Sequence, residues 1–175
     1  GDLSSLRLDD SLQAEIRAYL DKYRLLTTSL HVREPNYTGV KVKARIVPQD
    51  FFQPAEVQQR VMDELKRYIT PLPVDEKALL MKADENWEGW QFGRDLFAAE
   101  IISLIQQIPL VKYVLDVEIH QRPVIPVEEK WMYDEAPKPE LIKVENVLMV
   151  PDDGLLCSLD HEVEIVNIQD LYKKG

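Results

Sequence analysis

This chain is poor in the residues that build cross-links, metal centres and phosphate-binding loops. Its 175 residues include a single cysteine, Cys157, which excludes an internal disulfide and any zinc site made from several cysteines. Six glycines leave little backbone for cradling a phosphate group. No HExxH, GxSxG or Gly-rich phosphate motif occurs. We therefore predict no bound cofactor and no catalytic centre of these classes.

Long apolar runs and excess basic charge are also missing. No apolar run approaches the roughly 18 residues of a membrane span, and residues 1–10 are polar and acidic, so we predict no membrane insertion. The net charge is −10, and a phosphate backbone needs a basic surface. Nucleic acid is therefore not an expected partner. The first residue is Gly rather than Met, and we expect the chain to be a domain excised from a longer polypeptide.

The 45% hydrophobic and 30% charged residues are typical of a folded globular domain, and their spacing predicts its elements. Apolar residues at steps of three and four predict helices at 10–23, 54–69 and from 93 or 94 to 108. Alternation of apolar and polar residues predicts strands at 26–32, 40–47, 111–119, 143–150 and 162–166. The first two strands are predicted to form a hairpin, and residues 151–154 a turn between the last two.

Together these elements predict an α+β fold. Its mostly antiparallel sheet carries two helices packed on one face, plus an N-terminal helix and a C-terminal strand pair on a proline-rich linker. The predicted organisation is an N-terminal helical segment at 1–24, a core domain at 25–121, a proline-rich linker at 122–140 and a β-hairpin appendage at 141–175.

Several residues that resemble catalytic or metal-binding groups have simpler interpretations. His31 and His120 fall on polar faces of predicted strands, where solvated or hydrogen-bonded side chains are expected; a two-histidine metal site is the alternative. Residues 84–89 with Asp95 resemble a calcium loop, but Asp95 replaces the bidentate Glu. The carboxylate pairs at 75–76 and 128–129 lack any sign of the shaped pocket that acid–base catalysis needs. We interpret these acids as solvated surface groups.

Two groups of residues are candidates for contacts with other proteins. Lys41, Lys43 and Arg45 make one face of a predicted strand basic in an acidic chain, and this face suits an acidic neighbour or simply solvent. Trp90, Phe92 and Arg94 belong to the residue types enriched at interface centres. Arg94 has an alternative role, which is to hydrogen-bond within its loop and hold the start of the following helix.

Two segments carry a resemblance to a known family. The first is AYLDKYRLLTT at 18–28, continued by LHVREP at 30–35, Tyr37 and the strand at 40–47. The second is GWQFGR at 89–94, followed by a helix, Ile108, Pro109 and VKYV at 111–114. Over residues 10–121 the chain resembles the C-terminal part of the baseplate J-like family of contractile phage tails and tail-like injection systems. The family pattern often has Gly after the helix-ending apolar pair, where this chain has Pro109-Leu110.

The resemblance implies a structural, non-enzymatic wedge subunit of a baseplate. Such subunits join neighbouring wedges into a ring around a hub, so the implied partners are other wedge, hub and sheath proteins, with homo-oligomeric contacts in the ring. The implied location is the bacterial cytoplasm during assembly and then a virion or tail-like particle. Two alternatives stay open: a carbohydrate- or receptor-binding tail module that uses Trp87 and Trp90, and a metal-assisted hydrolase.

Overall fold

The computed structural model of the protein describes residues 8–49, 53–71, 89–124 and 139–168. The helices in these ranges are α1 (Asp10–Asp21), α2 (Pro54–Tyr68) and α3 (Ala98–Gln107). The strands are β1 (Asn36–Pro48), β2 (Leu96–Phe97), β3 (Val111–Val124), β4 (Ile142–Val144), β5 (Val147–Leu148), β6 (Gly154–Ser158) and β7 (Glu162–Ile165). In the same ranges, no helix combines the length and the apolar character that crossing a membrane requires.

Strand β1 lies at the centre of a mixed, mostly antiparallel sheet. One edge of β1 pairs with β3, which pairs in turn with β4, and both pairings are antiparallel. The other edge pairs in parallel, first with β6 and then with β7. Strands β2 and β5 form a separate antiparallel pair. The α+β fold predicted from the sequence is confirmed.

The main core lies between one face of this sheet and the helices α2 and α3. Because side chains of a strand alternate between faces, the apolar residues from Val40 to Ile46 face the helices. Tyr37 packs instead in a second cluster with Leu155 and Cys157. Proline at the first turn of α2 suits a helix start, and the apolar residues of α2 recur every four positions. The buried residues contributed by β1, α2 and α3 are Val40, Val42, Ala44, Ile46, Val57, Val61, Leu65, Ile101 and Ile105.

The predicted strand at 26–32 is absent, and so is its hairpin with β1. Residues 22–35 contain turns and irregular backbone instead, and the Leu26 side chain is fully exposed. Both edges of β1 are already occupied, by β3 on one side and by β6 and β7 on the other. Long-range pairing therefore takes the place that the local hairpin would have filled.

The C-terminal strands do not form the predicted hairpin: β4, β6 and β7 join the main sheet, and β5 pairs with β2. The predicted strand at 143–150 is two short strands, and β6 begins inside the predicted turn at 151–154. None of the strands from β4 to β7 pairs with another of this group within the described ranges. Strand β3 also continues to Val124, so residues 122–124 of the predicted linker belong to the sheet. Residues 125–138 of that predicted linker lie outside the described residues.

The turn between α3 and β3 contains a strained residue. Helix α3 begins at Ala98, after β2, and not near residue 93 as its spacing predicted. After α3, Leu110 has φ 74°, in the left-handed region where a Cβ crowds the backbone and glycine is favoured. Its carbonyl accepts a 2.8 Å hydrogen bond from the Gln49 amide. This backbone contact keeps Leu110 in the strained conformation.

Replacing Leu110 with Gly is expected to raise the free energy of unfolding by up to about 1 kcal/mol. The left-handed conformation costs a non-glycine residue roughly 1–2 kcal/mol, and the greater freedom of glycine in the unfolded chain offsets part of this gain. Urea unfolding of the variant measures the difference. The control is Leu110→Ala, which removes the side chain but keeps the strain. Equal stability of the Gly and Ala variants would contradict the strain argument.

Candidate interaction site

The loop from Gly89 to Arg94 places one aromatic side chain inside the protein and one outside. Trp90 is 2% exposed and belongs to the main core, where its ring meets Tyr68 edge-on at a centroid distance of 5.5 Å. Phe92 is 61% exposed. Of the two aromatic interface candidates, Phe92 is therefore accessible to a partner and Trp90 is not. Trp87 lies outside the described residues.

Arg94 is held by its own loop and by the helices on either side. Its Cζ lies 4.3 Å from the centroid of the Trp90 ring, which is cation–π geometry. Its Nη2 donates to Glu100 Oε1 at 3.0 Å and to the Tyr68 hydroxyl at 3.2 Å. Burial, followed by the negative charge of Glu100, raises the pKa of Tyr68 and keeps its hydroxyl protonated. Arg94 thus joins the start of α3 to the end of α2. Its alternative role included the start of the helix but not the contact with α2.

Both segments that carry the family resemblance meet at the turn before β6. From the first segment, Arg33 Nη2 donates to Asp153 Oδ2 at 2.8 Å. The backbone N–H of Asn36, between Pro35 and Tyr37 of this segment, donates to the Asp153 carbonyl at 3.0 Å. From the second, the Gly93 amide donates to the Gly154 carbonyl at 3.1 Å. A Cβ on Gly93, whose φ is 65°, would lie 3.1 Å from the Asp152 Cα. Two distant parts of the chain therefore fit against one turn.

The basic face of β1 is paired with acidic residues of its own chain. Lys41 Nζ lies 2.5 Å from Glu162 Oε1, and Lys43 Nζ lies 3.4 Å from Glu162 Oε2. Farther along the strand, Arg45 Nε lies 3.2 Å from Glu164 Oε2. The hydrogen bond from Lys41 lowers the pKa of Glu162. The acidic groups beside this face therefore come from β7 of the same chain.

Carboxylates also lie on the other side of the basic residues, on β3. Asp116 pairs in register with Arg45, and Glu118 pairs with Lys43. Lys143 of β4 in turn forms an ion pair with Glu118 and lowers its pKa. Across the sheet, columns of positive and negative side chains therefore alternate. We call this surface the charged face; its balanced charges do not form the basic patch that a phosphate backbone requires.

The histidines occupy three different environments. His31 is exposed in an irregular segment. His120 lies on the charged face with its side chain 12% exposed, and burial together with the charge of Lys43 lowers its pKa. Its buried Nδ1 has no hydrogen-bond partner among the described residues. Throughout the described part of the chain, no three His, Cys, Asp or Glu side chains come close enough together to hold a metal ion.

His161 is a structural residue whose role sequence spacing did not reveal. From Val40 to Lys43, β1 advances three residues while its partner advances four, from Ser158 to Glu162, so the partner chain bulges. In the bulge, His161 Nδ1 accepts a 3.1 Å hydrogen bond from the Val42 amide. The ring thus replaces a backbone carbonyl that the ladder lacks at this point.

The same contacts fix the protonation of His161. Since Nδ1 accepts a hydrogen bond, the proton of the neutral ring is on Nε2, which lies 2.8 Å from Ser158 Oγ. Nε2 therefore donates to this hydroxyl and is not a base that activates it. Burial, then the charge of Lys66, lowers the pKa of His161 to about 4. The Ser158–His161 pair consequently does not have the arrangement of a nucleophile and its general base.

The apolar side chains of α1 are exposed. No residue of α1 is buried, although Leu12, Tyr19 and Tyr23 share one face at helical spacing. Leu12 is 43% exposed, Tyr19 59% and Tyr23 71%, and Leu25 just after the helix is 75% exposed. We call these residues, together with Ile16, Leu20 and Leu26, the α1 face. Ile16 is half-buried, and the other members of the group are exposed.

The other predicted sites are only partly described. Residues 84–88 of the calcium-like loop and the carboxylate pairs at 75–76 and 128–129 lie outside the described residues. Asp95, the distal acid of that loop, accepts a 2.8 Å hydrogen bond from the Val150 amide. Cys157 is buried, and burial raises its pKa to about 11, which keeps the thiol protonated.

Comparison with known proteins found no matching family model and no matching curated protein.

Proposed function

We propose that this protein is a structural wedge component of the baseplate of a contractile phage tail or a tail-like injection system. It acts by binding other wedge, hub and sheath proteins, with contacts between its own copies in the ring, and not by catalysis. It assembles in the bacterial cytoplasm and then becomes part of a virion or tail-like particle. The observation that carries the proposal is the exposed α1 face, because it is an apolar surface built for contact with another protein.

The α1 face supports assembly through its position and composition. Contiguous exposed apolar side chains mark sites of protein–protein contact. Aromatic residues such as Tyr19 and Tyr23 are enriched where interfaces bury the most surface. Only a few contacts hold α1, including a 2.5 Å hydrogen bond from Gln13 Nε2 to the Val32 carbonyl. A partner can therefore cover α1 without disturbing the main core.

The resemblance to baseplate J-like proteins indicates which kind of assembly the protein belongs to. Its two segments lie in the first half of the chain and around α3, and both contact the turn before β6. Leu110 adds support, because it adopts a conformation suited to glycine in the turn where the family pattern often has Gly. Most residues of the α1 face lie within the first segment of the resemblance, and both features favour a protein that works through contacts.

The test compares what co-purifies with three tagged forms of the protein in its native host, namely the wild type and two variants. Tyr19→Glu places a charge on the α1 face, whereas Ala14→Glu places the same charge on the opposite side of α1, about 140° around the helix. Sheath, tube and other baseplate proteins are expected with the wild type and with Ala14→Glu, and at least tenfold less with Tyr19→Glu. Mass spectrometry measures the amount of each co-purified protein, and baseplate proteins should be recovered in stable proportions. A wild-type sample without baseplate proteins would refute the proposal.

A further inference from the structure

Strand β7 pairs with β1 on one side, and no strand of the described residues pairs with its outer edge. Strand residues direct their N–H and C=O alternately to the two sides. Val166, just after β7, donates to the Ile46 carbonyl, so Glu162, Glu164 and Val166 point toward β1. Val163 and Ile165 therefore point outward. Val163 O accepts a 2.6 Å hydrogen bond from Gln58 Nε2, and among the described residues neither the Val163 N–H nor the Ile165 N–H and C=O has a partner.

A groove of about 660 Å³ runs between this edge and helix α2. Its floor combines Val163 and Ile165 of β7 with Ala55 and Met62 of α2. An extended backbone in the groove would satisfy the outward groups of β7 and cover its apolar floor.

The outer edge of the neighbouring strand β6 is partly covered by another segment of the chain. Gly154 points outward from β6, and its carbonyl accepts a hydrogen bond from the Gly93 amide. The loop that contains Trp90 thereby covers the start of β6. From helix α2, the Gln58 amide donates to the Val163 carbonyl, and no other hydrogen bond to the outer edge of β7 comes from the described residues.

The side chains of β7 specify the strand that would fit. Glu162 and Glu164 lie on the charged face and stay 56% and 64% exposed, despite their ion pairs with β1. Val163 lies on the opposite face, in the main core. On its inner side, β7 is matched by a strand that alternates apolar and basic residues, namely β1. The residues that line the outer groove include these two glutamates and no lysine or arginine, so a basic side chain has the complementary charge.

We propose that the outer edge of β7 binds an extended segment of a partner protein in which apolar and basic residues alternate. The basic residues pair with Glu162 and Glu164, and the apolar residues enter the groove against Met62 and Ala55. The segment adds a strand to the sheet by backbone hydrogen bonding. This inference is independent of the baseplate proposal, because it follows from the edge and its charges alone.

The probe is a fluorescent, end-blocked peptide with the sequence of residues 40–47, which has the required alternation. The matched control peptide carries N-methyl groups on alternate residues, so one edge of its extended backbone has no N–H to donate in hydrogen bonds. The full 175-residue chain is expected to bind the first peptide saturably in fluorescence anisotropy, and the methylated peptide at least tenfold more weakly. Equal binding of both peptides, or binding of neither, would overturn the proposal.

Two protein variants locate the site. Ala55→Tyr fills the groove from an exposed position of α2 and is expected to weaken binding at least tenfold. Ala99→Tyr makes the same change at an exposed position of α3, in a separate groove between α2 and α3. It is expected to leave peptide binding unchanged. Equal effects of the two variants would place the peptide elsewhere and reject the β7 site.

Hydrogen exchange provides a readout at single residues. In the free chain the Ile165 amide is expected to exchange at least tenfold faster than the Glu164 amide, which points toward β1. Saturating peptide should slow exchange at Ile165 by at least tenfold. If Ile165 is already protected in the free chain, and loses protection when the protein is diluted, a second copy occupies the edge and the proposed partner class is wrong.

Discussion

Replacing Trp90 with Ala is expected to lower the free energy of unfolding by about 3–5 kcal/mol, the usual cost of removing a buried aromatic side chain. Trp90 is 2% exposed and packs against Tyr68. Its Nε1 donates a 2.9 Å hydrogen bond to the Arg94 carbonyl, so the substitution also removes a buried contact within the loop. The guanidinium of Arg94 then loses the ring over which it lies.

Equilibrium unfolding in urea, followed by far-UV circular dichroism, measures this loss. Phe92→Ala is the matched control, because it removes an aromatic side chain that is 61% exposed from the same loop. Its expected cost is below about 0.5 kcal/mol, as for ordinary surface substitutions. Equal stability losses for the two variants would contradict the placement of Trp90 in the core.

This prediction also changes how a sugar-binding role must be tested. A Trp90→Ala variant that loses glycan binding would report a disrupted core and not a lost stacking platform. Trp90→Phe preserves most of the packing and removes the indole N–H, so it separates the two causes. The burial of Trp90 does not favour a role in which this ring stacks on a sugar.

The sequence predicted those elements in which local spacing and tertiary burial agree. The alternation at 40–47 predicted a strand with one apolar face, and this segment became β1 at the centre of the sheet. Apolar residues at steps of four predicted α2, whose Val57, Val61 and Leu65 are buried. In both cases the residues that carry the pattern are the residues that the core covers.

Strand pairing was not predictable from the same patterns. Leu26, Leu30 and Val32 alternate with polar residues as a strand would, yet β1 pairs instead with strands that lie far away in the sequence. The contacts between Lys41 and Glu162 span 121 residues. A one-dimensional pattern states which face of a strand is apolar but not which strand lies beside it. The basic face was therefore visible in the sequence, and its acidic partner was not.

Acidification from pH 6.5 to pH 4 is expected to destabilise the protein through His161 by up to about 3 kcal/mol, the equivalent of a pKa lowered from 6.5 to about 4. In the unfolded chain this histidine takes up its proton near pH 6.5. In the folded chain it stays neutral until about pH 4, so the unfolded state binds more protons between these values. Its contribution to stability is therefore complete above pH 6.5 and is lost as the pH falls.

The geometry around the ring explains why the proton is rejected. A protonated Nδ1 would bring its own N–H against the Val42 amide, which already donates to that atom. The cations of Lys66 and Lys41 oppose the added charge, and the carboxylate of Asp160 favours it. Protonation of His161 thus destabilises the bulge between β6 and β7.

The variant His161→Asn isolates this effect. An Asn side chain places an oxygen near the position of Nδ1, so it accepts from the Val42 amide but does not titrate. Urea unfolding at steps between pH 7.5 and pH 4 should give a curve for His161→Asn that is shallower than the wild-type curve by up to about 1.4 kcal/mol per pH unit. His31→Asn, at an exposed histidine, should follow the wild type. Parallel curves for all three proteins would show that His161 titrates alike in the folded and unfolded chains.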